Sequence, residues 1–552
     1  MTRNTEMHFS ETPQIELRRS KFEESYSHKT TFNTGQIIPI YVDSDILPGD
    51  TVQLDLASLI RMATPIYPVM DNLYADIYFF FVPHRLVWEH WAQFWGENDD
   101  PWTQTTQYEI PQVTAPTGGW IEGTIADYMG VPTKVGNISI NAIPFRAYCK
   151  IYNDWFRDEN VSPAVKVYTD DTTRQGVNGW GTLVTDLCLG RYPVNACKMH
   201  DYFTSALPQP QKGPAVQIPL GQASPVLTGA DHTITTNPLR WGHSDGSSYS
   251  LPLGTYEDIS SARSSSGDYF TTSRGGSTLI GQEKSTVPTN LYADLSQATA
   301  STINQLRTAF AIQKYYENAG LHGTRYIEYI KGVFGVTSSD ARLQRAEYLG
   351  GKRIPLNIDQ IIQTSSTDST SPQGNTAGFS CTLNSDSMFT KSFEEHGTLM
   401  GLCVVRTEHT YQQGLHKMWT RKKWTDFYNP FFANLGEQAI LNENIYAQGT
   451  SVDKQAFGYQ EAWAEYRYKE NRVSGYMRSN ATGSLDVWHF ADDYSSLPTL
   501  SASWMAEPAT NVDRTIAVSS QLTHQFIADF YFKQYYTREM PVYSIPGLID
   551  HV

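Results

Sequence analysis

Apolar residues at every second position recur at opposite ends of this chain and thin out in its middle. Val52, Leu54 and Leu56 alternate with polar residues, the spacing of a strand with one buried face. Leu73, Ala75, Ile77, Phe79 and Phe81 do the same, but Tyr78 and Phe80 between them are also apolar, so that strand should be covered on both faces. Phe526 to Tyr536 is another of this type, and Leu399 to Arg406 reads as a buried strand. Ile37 to Val42 is a further strand, followed by Leu47-Pro-Gly-Asp50, a turn with Pro and Gly where a type II turn wants them. Strands so far apart in the chain bury their faces only by packing together in space. The fold class that follows is mainly β, an antiparallel β-sandwich with long loop insertions and a few short helices.

The segments between and around the strands have their own character. Half of residues 212–289 are Gly, Ser, Thr or Pro, a composition that cannot build a large core. A structureless loop of that length is rare in a compact domain unless it is functional. Gln363 to Gly378 is a shorter stretch of the same kind. Ile303, Leu306, Ala309 and Phe310 sit at helical spacing, and that helix should end near Gly320. Residues 458–470 read equally as helix or strand. Residues 1–35 are polar, with Arg18, Arg19 and Lys21 close together, and read as an extended arm. The apolar Ile545, Leu548 and Ile549 make residues 541–552 a second arm, packed on the same or a neighbouring subunit. The expected division is therefore arm 1–35, core 36–211, surface insertion 212–289, core 290–540 and arm 541–552.

Little in the chain points to catalysis. No G-x-x-x-x-G-K-[ST], H-E-x-x-H or EF-hand loop occurs. The acidic doublets Glu23-Glu24, Asp99-Asp100, Glu394-Glu395 and Asp492-Asp493 are poor acid–base pairs, because adjacent strand residues point to opposite faces. Glu394-Glu395-His396 and Glu408-His409 have no spacing that forces metal ligands to converge. No catalytic residue, metal or cofactor is assigned. The five cysteines show no C-x-x-C spacing, which suits a reducing compartment. The start lacks an apolar signal core and no run of 18 apolar residues occurs, so neither export signal nor membrane insertion is expected.

A net charge of −15 argues against a protein that coats nucleic acid over its whole surface, but leaves room for a local basic patch. The best local candidate is Met418-Trp-Thr-Arg-Lys-Lys-Trp-Thr-Asp-Phe-Tyr428. Cations that track phosphates and rings that stack on bases are the mixture used for single-stranded DNA. Trp419, Arg421, Lys422, Lys423 and Trp424, with Arg18, Arg19 and Lys21 of the arm, are the candidate DNA contacts. The alternative is a loop whose Trp residues pack in the core or at a subunit contact while its cations pair with acids.

Longer motifs carry a resemblance. Thr64-Pro-Ile-Tyr-Pro-Val-Met-Asp-Asn-Leu73, Tyr78-Phe-Phe-Phe-Val-Pro-His-Arg-Leu-Val-Trp88, Asp340-Ala-Arg-Leu-Gln-Arg-Ala-Glu-Tyr-Leu-Gly-Gly351 and Phe457-Gly-Tyr-Gln-Glu-Ala-Trp-Ala-Glu-Tyr-Arg-Tyr-Lys469 are long, aromatic-rich and in order. With Leu485-Asp-Val-Trp-His-Phe490 and Pro541-Val-Tyr-Ser-Ile-Pro-Gly-Leu-Ile-Asp-His551, they resemble the major capsid protein of microviruses, specifically the gokushovirus branch. The resemblance covers nearly the whole chain apart from about 212–289. It implies an eight-stranded viral jelly roll that self-assembles into a T=1 icosahedral shell around circular single-stranded DNA, in a virion assembled in the host bacterial cytoplasm. It also implies an internal scaffolding protein, a minor pilot protein, a small basic DNA-associated protein and a host surface receptor as partners. By the same resemblance the insertion builds protrusions at the three-fold axes, where Leu251, Leu253, Tyr256, Tyr269 and Phe270 are the available apolar groups. The competing class is a soluble β-sandwich carbohydrate-binding protein or glycosidase, for which the Trp and Tyr content speaks.

Overall fold

The computed structural model describes residues 18–97, 107–216, 303–367 and 372–543, and only the backbone of short strands between 226 and 293. The chain divides into two compact units, Met1–Gln211 with Ala319–Val552, and Lys212–Asn318. The first unit is built on eight long strands: β1 (Ser20–Phe32), β2 (Ile38–Ile46), β3 (Thr51–Met62), β4 (Leu73–Pro83), β5 (Glu347–Pro355), β6 (Thr382–Ser392), β7 (Gly397–Thr407) and β8 (Phe526–Arg538). They form two four-stranded antiparallel sheets. Sheet one has the order β1-β8-β3-β6 and sheet two the order β5-β4-β7-β2.

Alternation decides which side chains meet. Val52, Leu54 and Leu56 of sheet one and Phe530 and Phe532 beside them face Ile77, Phe79, Leu399 and Cys403 of sheet two, and all are buried. Burial of side chains of this size stabilises by roughly 1.5–3 kcal/mol each. The turn between β2 and β3 closes with Asp50 N–H donating to the Leu47 carbonyl at 3.0 Å. Gly49 sits there at φ +91°, a conformation open to glycine at no steric cost.

The two sheets are finished differently on their outer sides. Phe80, Val82, Met400, Leu402 and Val404 on the outer face of sheet two are buried with Trp88, Trp120 and helix α1 (Ile143–Ile151) in a second core. This is why Tyr78 and Phe80 can be apolar. A third cluster gathers Tyr202, Phe203, Phe457 and Trp504. Among the described residues, none of these clusters covers the outer face of sheet one, where Ile527, Tyr531 and Leu383 are exposed.

Several expectations change. Phe526–Arg538 is covered on one face only, with the pattern of strict alternation. Ser20–Phe32 is a sheet strand rather than an arm, paired with β8 from Ser20↔Arg538 to Phe32↔Phe526. The pairing satisfies its backbone and buries Phe32, which a polar composition concealed. Residues 458–470 hold both elements: Ala456–Gln460 pairs with Gln438–Leu441, and Ala464–Arg467 is a helical turn. The second unit extends past 289, because Leu291–Ala293 pairs with Val226–Thr228. Helix α2 spans Ile303–His322, close to the expected end, and helix α3 spans Tyr326–Phe334. Gln363 to Gly378 joins a hairpin of Ile358–Ile362 and Thr376–Ser380. Among the described residues no helix is long and apolar enough to cross a membrane.

Candidate nucleic-acid interface

The segment after β7 folds without sheet pairing, as three short turns at Lys417–Trp419, Trp424–Asp426 and Pro430–Phe432. Polar side chains hold each turn. His416 Nδ1 accepts from the Met418 N–H at 3.0 Å. The Asp426 carboxylate accepts from the N–H groups of Lys422 and Lys423, both at 2.8 Å, and these bonds hold its pKa below the ordinary range. Asn429 accepts from the Phe431 N–H at 3.0 Å.

This scaffold separates the three consecutive cations. Arg421 turns inward, its side chain 11% exposed. Its guanidinium donates to Glu465 at 3.2 Å and lies 4.4 Å from the centre of the Tyr466 ring and 5.4 Å from that of Phe427. Lys417 approaches the same carboxylate at 3.6 Å. Lys422 and Lys423 remain exposed. Trp419 and Trp424 are 70% and 71% exposed, and Phe431 is 93% exposed. Large rings left this exposed are the feature that makes the loop a candidate contact surface. Two exposed ammonium groups and two largely exposed indoles, that of Trp424 with its ring centre 6.0 Å from Phe432, have the chemistry to neutralise phosphates and stack bases.

The arm cations lie elsewhere. Arg18 is exposed and Arg19 pairs with Glu539 at 3.2 Å. Lys21 stands on the bare outer face of sheet one, its ammonium 4.1 Å from the centre of the Tyr535 ring. Strand register brings Lys29, Arg61 and Lys533 to that face as well. They share it with Glu23, Asp55 and Asp529, so the face carries a slight positive excess on an acidic chain. Lys29 pairs with Asp529 at 3.3 Å. Sequence reasoning missed these residues; the signal was their position between buried neighbours on alternating strands.

The rejected metal candidates have other duties. Glu395 binds Arg85 at 2.6 Å, and the His396 ring stacks on Trp95 at 4.7 Å. Both His409 nitrogens are taken by carboxylates, Asp492 at 2.8 Å and Glu507 at 2.9 Å. Among the described residues no group of His, Cys, Asp or Glu converges as a metal site. Leu251, Leu253, Tyr256, Ile545, Leu548 and Ile549 lie outside the described residues. Tyr269 and Phe270 fall in a strand, Gly267–Thr272, between Ile259–Ser264 and Leu279–Gln282.

Comparison with known proteins agrees with the resemblance in the motifs. The family described as "Capsid protein (F protein)" matches residues 10–548. Capsid protein VP1 of Bdellovibrio phage phiMH2K is 42% identical, covering 99% of this chain and 98% of its own. Capsid protein VP1 of Spiroplasma virus 4 is 43% identical over 94% of both chains. Capsid protein VP1 of Chlamydia phage 1 is 39% identical over 98% of this chain and 97% of its own. These relatives fit the gokushovirus branch of the microviruses. With near-complete coverage at this identity, the chain belongs to the phage capsid (F) protein family, whose members are structural virion components and not enzymes.

Proposed function

We propose that this chain is the major subunit of a T=1 icosahedral shell enclosing circular single-stranded DNA. The observation that carries the reading is the near-full-length identity to capsid proteins of small phages. The strand orders β1-β8-β3-β6 and β5-β4-β7-β2 support reading the sandwich as the eight-stranded viral jelly roll. Trp419, Lys422, Lys423 and Trp424 are read as genome contacts, with Arg421 as the anchor of their loop, and Lys21 as a contact from the bare sheet. Arg18 and Arg19 are read as weaker phosphate contacts. The segment 212–289 is read as the three-fold protrusion that meets the host receptor, through Leu251, Leu253, Tyr256, Tyr269 and Phe270. Ile545, Leu548 and Ile549 are read as an arm gripping a neighbouring subunit. Scaffolding, pilot and small basic proteins complete the particle, which assembles in the host cytoplasm.

Co-expression with the phage's other structural proteins, followed by velocity sedimentation and electron microscopy, tests the shell. Uniform small round particles containing DNA are expected. Monomer alone under every combination would overturn the reading.

A further inference from the structure

A cavity of about 710 Å³ opens on the outer side of sheet two and is unused by the loop just described. Its volume falls within the ~300–1,000 Å³ of small-molecule sites. One wall is aromatic. Phe80, Trp155 and Tyr348 sit with ring centres 5.6–5.7 Å apart. Trp155 is fixed in place: its indole N–H donates to the Ala346 carbonyl at 2.9 Å, and the Arg345 guanidinium lies 4.7 Å from the ring centre. Trp155 and Tyr348 nevertheless stay exposed over part of their surface.

The adjoining wall is cationic. Arg353 and Arg406 both bind the buried Asp76, Arg353 through bonds of 2.6 and 3.1 Å. Burial alone would raise the Asp76 carboxyl, but the two guanidinium groups hold it below its ordinary pKa. Two guanidinium groups share that one carboxylate. Arg406 spends further donors on the Tyr78 hydroxyl at 2.9 Å and the Cys197 carbonyl at 3.4 Å. Arg353 is half exposed and lines the cavity, its guanidinium 5.3 Å from the centre of the Tyr74 ring. Two carboxylates also line the space and keep their charge, since their partners are neutral: Glu408 accepts from Asn72 at 2.9 Å and Asp201 from Tyr411 at 2.6 Å, and Lys198 lines it as well.

Open aromatic faces beside a half-exposed guanidinium suit a ligand that is flat at one end and anionic at the other. We propose that this cavity takes one nucleotide of single-stranded DNA, with its base on Trp155 and Tyr348 and its phosphate on Arg353. The inference rests on the genome-enclosing reading above.

The test is photochemical cross-linking in whole particles whose DNA carries 5-bromodeoxyuridine, with cross-linked peptides mapped by mass spectrometry. Adducts at Trp155 or Tyr348 are expected. Adducts confined to other peptides would overturn the nucleotide site and leave genome packing intact, and particles holding no DNA would overturn both. A second measurement titrates the full-length subunit with oligothymidylate. Trp155→Leu combined with Tyr348→Leu, titrated at a temperature where circular dichroism shows the variant folded, should weaken binding roughly five- to hundredfold for one stacked base. Unchanged affinity, or binding of a neutral glucose oligomer in place of oligothymidylate, would overturn the proposal.

Discussion

Replacing His409 by Gln removes the positive charge that Asp492 and Glu507 share in the interior. Burial opposes protonation of this ring, but the two carboxylates outweigh it and push its pKa up to about 10. Asp492 is held down in turn, against its own burial, by His409, Lys198 and a 2.7 Å bond from Asn511. Removing one partner of a buried ion pair costs about 3–5 kcal/mol, so H409Q should unfold at markedly lower urea. The sign of the pH effect follows from a raised pKa. The stabilisation is complete below the ordinary value of 6.5 and is lost as pH climbs through about 10. The gap in urea midpoint between wild type and H409Q should therefore narrow from pH 6 to pH 10; a constant gap would refute the charged reading. Lys422 and Lys423 behave differently because they are exposed. Changing both to Gln should leave stability within about 0.5 kcal/mol and reduce the salt slope of DNA binding by roughly 0.7 for each phosphate that is no longer neutralised. Trp419→Ala or Trp424→Ala should cost about 1–3 kcal/mol of DNA affinity if these rings stack on bases. Filter binding across a salt series reads both.

Among the elements, β4 and β8 show what a one-dimensional pattern can and cannot tell. Both have rings at successive positions, yet Phe80 lies under α1 while Tyr531 meets solvent. Sequence period reports which residues are apolar, whereas the second cover comes from a segment elsewhere in the chain. The type II turn at Leu47–Asp50 was legible because its cause is local. The strand Ser20–Phe32 was not, since its stability comes from a partner at the far end of the chain. At the loop, the pairing of rings and cations was readable, but the inward turn of Arg421 needed Glu465, which no spacing announces. Strand β1 gives a clean test. Deleting residues 1–17 removes none of the eight strands and should leave the subunit folded. Deleting residues 1–32 uncovers one whole side of β8 and should abolish cooperative melting, as read by calorimetry.

For the whole molecule, all eight strands of the sandwich lie outside Lys212–Asn318. Loop closure penalises length only slowly, so exchanging residues 225–287 for a short Gly/Ser linker should still yield a folded subunit. Particles should form, hold DNA and fail to adsorb to host cells. Adsorption at the wild-type level would exclude the insertion as the attachment site, and loss of all particles would give it a part in assembly instead. The pairing of β1 with β8 carries a consequence of another kind. Within sheet one, β1 pairs with β8, the last of the eight strands in chain order. At about 5–20 residues per second, a ribosome needs roughly half a minute to two minutes to reach it. Throughout that time the nascent chain carries an unpaired edge and an open sandwich. A polysome crowded with chains still short of β8 thus holds no finished building block, and the clock of translation keeps shell formation from starting before β8 is made.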